Sequence, residues 1–143
     1  MRGVIRGSRR REGGAMVVGL GIDVASVERM ARALRRFGER FSDRVLTPRE
    51  RAEIAGRGGD AAAAVAGRFA AKEAAFKALS GPRDVWWHDL EVRRGPRGEP
   101  TLVCLGAAAE HAARLGVRRC LLSITHDAGV AAAVVVLESE GDS

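Results

Sequence analysis

Residues 67 to 79, Gly-Arg-Phe-Ala-Ala-Lys-Glu-Ala-Ala-Phe-Lys-Ala-Leu, constrain this chain more than any other stretch. They predict part of a long helix, capped by Asp60 and ended before Gly81-Pro82. At helical period Val65, Phe69, Lys72, Phe76 and Leu79 share one face, and Glu73 and Lys77, four apart, lie along its edge. The helix therefore presents a carboxylate and an amine together at the border of a buried face. Lys72 and Lys77 are the only lysines among 24 basic residues. In a chain so biased towards Arg, an ammonium kept twice in one helix suits a site that needs a compact point charge rather than a planar fork. The plainer reading is an i,i+4 helix pair. Gly67 inside the helix costs roughly 1 kcal/mol relative to Ala, which implies close packing against its backbone.

At 143 residues the chain predicts one domain with a real core. Ala, Val and Leu carry the apolar fraction and Tyr is absent, so the core is expected to be small-residue and tightly packed. The net charge of +6 raises the question of nucleic acid, and its location answers it. Residues 1 to 14 carry five Arg against one Glu, and residues 28 to 51 carry eight Arg against four acids. The remainder is slightly acidic, so the charge belongs to a tail and one helical region. Cys104 and Cys120 lack metal-ligand spacing and read as buried thiols of a cytoplasmic protein without a disulfide. No apolar run approaches the ~18 residues of a membrane span. No membrane or nucleic-acid partner is expected.

Taken in order, residues 1–15 read as a disordered basic tail, and Met16 as an alternative start of a single domain over 16–143. Val17 to Asp23 predicts a short buried strand ending in an Asp suited to a cap, a turn or a rigid metal ligand. Val27 to Phe41 predicts an amphipathic helix, with Val27, Met30, Ala31, Leu34, Phe37 and Phe41 on one side and Arg29, Arg32, Arg36 and Arg40 on the other. That stripe reads either as a solvated face or as a dock for an acidic surface. Thr47-Pro48-Arg49-Glu50 is a capping box with Pro at the first helical position. A hairpin follows around Leu90–Val92 and Thr101–Leu105, then a helix from Ala107 to Leu115, then strands over 119–125 and 130–137. His88 reads as structural and His111 as a solvated helix residue. The order β-α-α-α-β-β-α-β-β, with an antiparallel sheet and a long central helix, predicts an α+β fold.

Three separated places offer ionisable residues at element boundaries: Asp23, the Glu73/Lys77 pair, and His126-Asp127. Two carboxylates without a Cys/His cluster suit Mg²⁺, which keeps open positions for water and substrate phosphates. Walker and Rossmann glycine patterns are absent. Residue chemistry alone thus stops at a Mg²⁺-dependent phosphate enzyme.

Gly21-Ile22-Asp23, then Arg68-Phe69-Ala70-Ala71-Lys72-Glu73-Ala74 with Lys77-Ala78-Leu79, then Ser123-Ile124-Thr125-His126 follow one another in an order that resembles the holo-acyl-carrier-protein synthase family. These are small bacterial 4'-phosphopantetheinyl transferases. Arg44-Val45-Leu46-Thr47 with Glu50, Leu90-Glu91-Val92 and Gly98-Glu99-Pro100 extend the likeness over residues 17 to 138. The resemblance implies a 4'-phosphopantetheinyl transferase-like fold and transfer of the phosphopantetheine arm of coenzyme A to a serine of apo acyl carrier protein, releasing adenosine 3',5'-bisphosphate. It further implies Asp23 and Glu73 as Mg²⁺ ligands, and Lys77 stabilising charge and protonating the leaving group. Arg68, Lys72, Lys77, Ser123, Thr125 and His126 are implied around coenzyme A, with Lys72 open to internal pairing instead. His126, Asp127 or a water organised by the metal is left to deprotonate the serine. Arg29, Arg32 and Arg36 would dock the acidic carrier, and three copies would form a homotrimer with sites between subunits. A non-catalytic basic module for RNA or an acidic protein accounts for residues 1 to 51 but not for the Lys-Glu-Lys helix. A Mg²⁺-dependent nucleotide hydrolase lacks a phosphate-cradling loop.

Overall fold

The computed structural model describes residues 14–141, so the expected basic tail lies outside the described residues except for Gly14 and Ala15. The elements are β1 (Met16–Ser26), α1 (Val27–Phe37), α2 (Glu39–Val45), α3 (Pro48–Arg57), α4 (Ala61–Ala78), a 3₁₀ turn (Trp87–Asp89), β2 (Leu90–Arg94), β3 (Pro100–Cys104), α5 (Gly106–Arg114), β4 (Val117–Asp127) and β5 (Val130–Ser139). β1, β5 and β4 form an antiparallel sheet in that order, and β2 and β3 form a separate hairpin. The α+β class therefore stands. The expected single helix over 27–41 is broken at Gly38, whose φ of 56° and ψ of −135° leave the helical region while its N–H still donates to Leu34 O at 2.9 Å. Phe41 consequently belongs to α2.

α4 is the centre of the molecule, and it is not buried by one stripe alone. Val65, Ala66, Gly67, Arg68, Ala70, Ala71, Lys72, Ala74, Ala75 and Ala78 are all buried. The three-stranded sheet covers one side and α1, α3 and β2 approach the other, so most of the circumference must lose water. Alanines make this possible because they let neighbouring backbones come close. β1 replies with Gly19 and Gly21: a Cβ at either would collide with the carbonyl oxygen of Ala78 or Ala74 on α4. Gly21→Ala is expected to lower stability by about 1–3 kcal/mol through overpacking. A thermal melt checks this, and an unchanged midpoint would show that strand and helix can separate at no cost.

Strand periodicity divides β1 cleanly. Gly19, Gly21, Asp23 and Ala25 face α4, while Leu20, Ile22 and Val24 stand on the opposite face, 65, 60 and 59 per cent exposed. The β4–β5 hairpin closes on Ala128 and Gly129, with φ of 50° and 78°, as a two-residue turn with both central residues left-handed. Gly129 O accepts from Val27 N–H at 3.0 Å, tying this turn to the start of α1. Cys104 and Cys120 are free and half-buried rather than buried. Their facing thiols interact, raising the pKa of Cys104 and lowering that of Cys120 to about 7.

Candidate active site

Asp23, Glu73 and Lys77 come together where the C-terminal half of α4 crosses β1. Asp23 is directed there because it shares the inward face of β1 with Gly19 and Gly21, which allow that crossing. Lys77 Nζ donates to Asp23 Oδ1 at 3.1 Å and to Ile22 O at 3.0 Å. The helix pair read from sequence is thus joined to a strand 54 residues away. Burial raises the Glu73 pKa, the Asp23 charge raises it further, and Lys77 opposes both. Two carboxylates and one ammonium leave a net negative charge facing solvent on rigid elements. Among the described residues no group of three or more His, Cys, Asp or Glu is arranged to hold a metal ion. A pair of hard oxygen donors suits Mg²⁺, which binds few protein ligands and keeps positions for water and phosphate. Asp23 and Glu73 fit that ion.

Lys72 does not belong to this group. Its side chain is fully buried, and Nζ donates to Glu50 Oε1 at 2.6 Å, Val45 O at 2.7 Å and Trp87 O at 3.0 Å. Burial pushes its pKa down and the Glu50 charge pulls it back up. Three acceptors require three protons, so these contacts need the ammonium form. The implied placement of Lys72 around coenzyme A is corrected to internal pairing. Arg68 is likewise fully buried, on the Lys72 side of α4, with Nη2 donating to Glu53 Oε2 at 3.0 Å. One helical residue is 100° of arc, so Arg68 projects about 140° away from Glu73. The structure does not bring it to the Asp23–Glu73–Lys77 group.

Ser123, Thr125, His126 and Asp127 also stand apart from that group in this chain. Asp23 lies opposite Ala133 on β5, and Ala133 lies opposite Ile124 on β4, so two strand spacings, about 10 Å, separate Asp23 from the His126 strand. His126 packs over the N-terminal half of α4. Its Nε2 lies 3.1 Å from Ala63 O, and because a carbonyl only accepts, Nε2 carries the proton. A Cβ on Gly67 would lie 3.0 Å from that nitrogen, which explains the glycine inside the helix. Ser123 and Thr125 alternate with Ile124 and His126 and so share the outward sheet face with Leu20 and Ile22. Asp127 is exposed at the end of β4.

A cavity of about 310 Å³ opens beside Glu73, lined by Lys72, Phe76, Arg83, Val85, Trp86, Trp87 and Leu90. Trp87 stacks on Phe69 with ring centroids 5.1 Å apart, which fixes one wall to α4. The second role of Glu50 and the aromatic wall escaped the sequence reading. The capping box identified Glu50 as a cap, and it does bond Thr47 N–H at 2.9 Å, but nothing in the box shows that the same carboxylate also takes Lys72 and Val92 N–H. His88 is structural as expected, with Nε2 donating to Asp43 O at 2.6 Å. His111 is not solvated: it is half-buried and holds Asp84 Oδ1 at 2.7 Å, which lowers the Asp84 pKa.

On α1, Arg29, Arg32, Ala33, Arg35, Arg36 and Phe37 line an open hollow of about 590 Å³. Phe37, expected on the apolar side, is 51 per cent exposed with the Arg36 guanidinium 5.2 Å from its ring centre. The stripe contains Arg35 and loses Arg40, because the break at Gly38 carries Arg40 onto α2.

Residues 19–135 match the family model of the 4'-phosphopantetheinyl transferase superfamily. The chain belongs to that superfamily. A holo-acyl-carrier-protein synthase of Anaeromyxobacter sp. (strain K) is 52 per cent identical over 129 residues, covering 88 per cent of this chain and 99 per cent of the relative. The Myxococcus xanthus synthase is 49 per cent identical over 125 residues, covering 87 per cent of this chain and 97 per cent of the relative. Among solved structures, a Bacillus anthracis holo-acyl-carrier-protein synthase in complex with coenzyme A (3',5'-ADP) is 38 per cent identical, with a TM-score of 0.72 over 87 per cent of this chain and 99 per cent of that one. The Helicobacter pylori synthase in complex with coenzyme A is 31 per cent identical, with a TM-score of 0.72 over 82 and 98 per cent of the two chains. Among the described residues no helix is long and apolar enough to cross a membrane.

Proposed function

We infer that this chain is a holo-acyl-carrier-protein synthase, transferring 4'-phosphopantetheine from coenzyme A to a serine of apo acyl carrier protein and releasing adenosine 3',5'-bisphosphate. The observation that carries the reading is the convergence of Asp23, Glu73 and Lys77 from two rigid elements. Asp23 and Glu73 would hold Mg²⁺, which supplies charge neutralisation at the pyrophosphate of coenzyme A. Lys77 orients toward the same place and stabilises charge developing on the phosphates. Its ammonium also has a proton to give the departing nucleotide phosphate. The serine proton goes to His126 or Asp127, or to solvent.

His126, Ser123 and Thr125 then meet coenzyme A from a neighbouring subunit, since each lies away from Asp23 in its own. The outward sheet face supports this: Leu20, Ile22 and Val24 leave β1 well exposed, an apolar patch of the kind that marks subunit contacts. A second copy covering that face would carry its own Ser123 and Thr125 into the contact. We read the assembly as a homotrimer, and sedimentation equilibrium at three times the chain mass is the expected result. A monomer would limit His126 to its structural contacts with Ala63 and Gly67 and overturn its role at coenzyme A.

The α1 hollow is read as the dock for the acidic carrier. Reversing Arg32 and Arg36 to Glu is expected to weaken carrier binding by at least tenfold at low salt, roughly 1.4 kcal/mol, with little change once salt screens the wild type. Equal binding at low salt would return the stripe to a solvated face. The overall test is intact mass of an apo carrier incubated with the protein, coenzyme A and Mg²⁺. An unmodified carrier would sink the reading.

A further inference from the structure

Lys72 and Glu50 lie outside the Asp23–Glu73–Lys77 group, are each fully buried, and leave no bonding capacity of the ammonium unused. Lys72 Nζ reaches Glu50, the last carbonyl of α2 at Val45, and the carbonyl of Trp87. Glu50 additionally accepts from Thr47 N–H at 2.9 Å and from Val92 N–H at 3.0 Å. One ion pair therefore joins α4, the end of α2, the start of α3, the 3₁₀ turn and β2. We propose that Glu50 and Lys72 are positioning residues for the transfer reaction inferred above, setting the direction in which α4 presents Glu73 and Lys77 and holding the wall of the cavity that Glu73 borders.

The geometry supports this on both counts. Lys72 immediately precedes Glu73, and Lys77 follows one turn later, so a rotation of α4 about its axis would swing all three side chains together. Three oxygens converging on one nitrogen oppose that rotation more sharply than apolar contacts, which permit sliding. On the other side, Trp87 is held twice, by its carbonyl on Lys72 and by its ring on Phe69, and it lines the cavity next to Glu73. Stability alone does not account for the pair. Exchanging a buried ion pair for apolar residues of similar volume is often neutral or stabilising, because the cost of desolvating both charges disappears. What an apolar exchange cannot reproduce is a fixed direction. The point-charge shape of Lys matters too, since a planar guanidinium cannot meet three acceptors from α2, α3 and the 3₁₀ turn at one atom.

The test is the double variant Glu50→Leu/Lys72→Met beside Lys72→Arg. Both keep the interior free of an unpaired charge, and folding is read by far-UV dichroism and a thermal melt. Per folded enzyme, kcat at saturating Mg²⁺ is expected to fall about tenfold or more, as misplacing reacting groups by a fraction of an ångström does. The calorimetric affinity for coenzyme A in the presence of Mg²⁺ falls with it, while the apparent KM for the carrier, set on α1, stays within about twofold. Wild-type kcat and coenzyme A affinity in either folded variant would overturn the positioning role. Failure of the wild-type protein to modify the carrier would instead overturn the activity on which it rests.

Discussion

Glu73→Gln is expected to lower kcat/KM for phosphopantetheine transfer by about 10³-fold or more, some 4 kcal/mol of transition-state stabilisation. The substitution keeps volume and one oxygen but removes a charge. Asp23 and Lys77 would then face each other at 3.1 Å with no net negative charge left to hold a divalent cation. The same change is expected to leave the metal-free protein at least as stable as the wild type. The Glu73 carboxylate is partly desolvated and repelled by Asp23, both of which raise its pKa, so its charged form costs the folded state something that Gln does not. Steady-state turnover across a Mg²⁺ titration, with a melt in chelator, measures both. A variant that melts much earlier would show Glu73 to be structural, and one that turns over normally would remove it from the metal.

Lys72→Met is expected to do the reverse, lowering stability first and foremost. Loss of one partner of a fully buried pair strands the Glu50 carboxylate, with a cost of about 3–5 kcal/mol. For a domain of this size that lowers the melting midpoint by on the order of 10 °C or more. Val45 O and Trp87 O lose their donor at the same time. Adding Glu50→Leu should recover much of the loss, because the stranded charge goes with it. Additive losses in the double variant would show that Glu50 and Lys72 do not act as a pair.

The two predictions separate two neighbours on α4, Lys72 and Glu73, and with them the buried lysine from Lys77, which shares the edge with Glu73. Composition selects Lys72 and Lys77 equally, helical period puts Lys72 on the apolar face and Lys77 at its edge, and only the tertiary structure names the acceptors that Lys72 meets there. Lys77 stays half-exposed because it sits at the edge where β1 crosses α4, whereas Lys72, five residues earlier, turns under α3. Arg68 misleads for the same reason. Its motif position places it a turn from Glu73, but side-chain direction around a helix is set by what surrounds the helix, and here that is Glu53 on α3. The break at Gly38 was legible as a glycine yet not as a break, since an isolated glycine within an amphipathic run is tolerated until packing selects the left-handed conformation.

Local chemistry determined much of this protein from its sequence alone. The capping box at Thr47, the Asp60 cap and the α+β order all depend on neighbours a few residues apart, whereas the expected short buried strand over 17–23 is an eleven-residue strand with one face exposed. The pairing of Asp23 with Lys77 across 54 residues, the burial of Arg68 and Lys72, and the distance between His126 and Asp23 were decided only in the tertiary structure. Those depend on which face of α4 meets the sheet. Gly19 and Gly21 settle that question by letting β1 lie against the carbonyls of Ala74 and Ala78: the alternating glycines allow a close backbone approach, but nothing in the sequence names the helix carbonyls that make it.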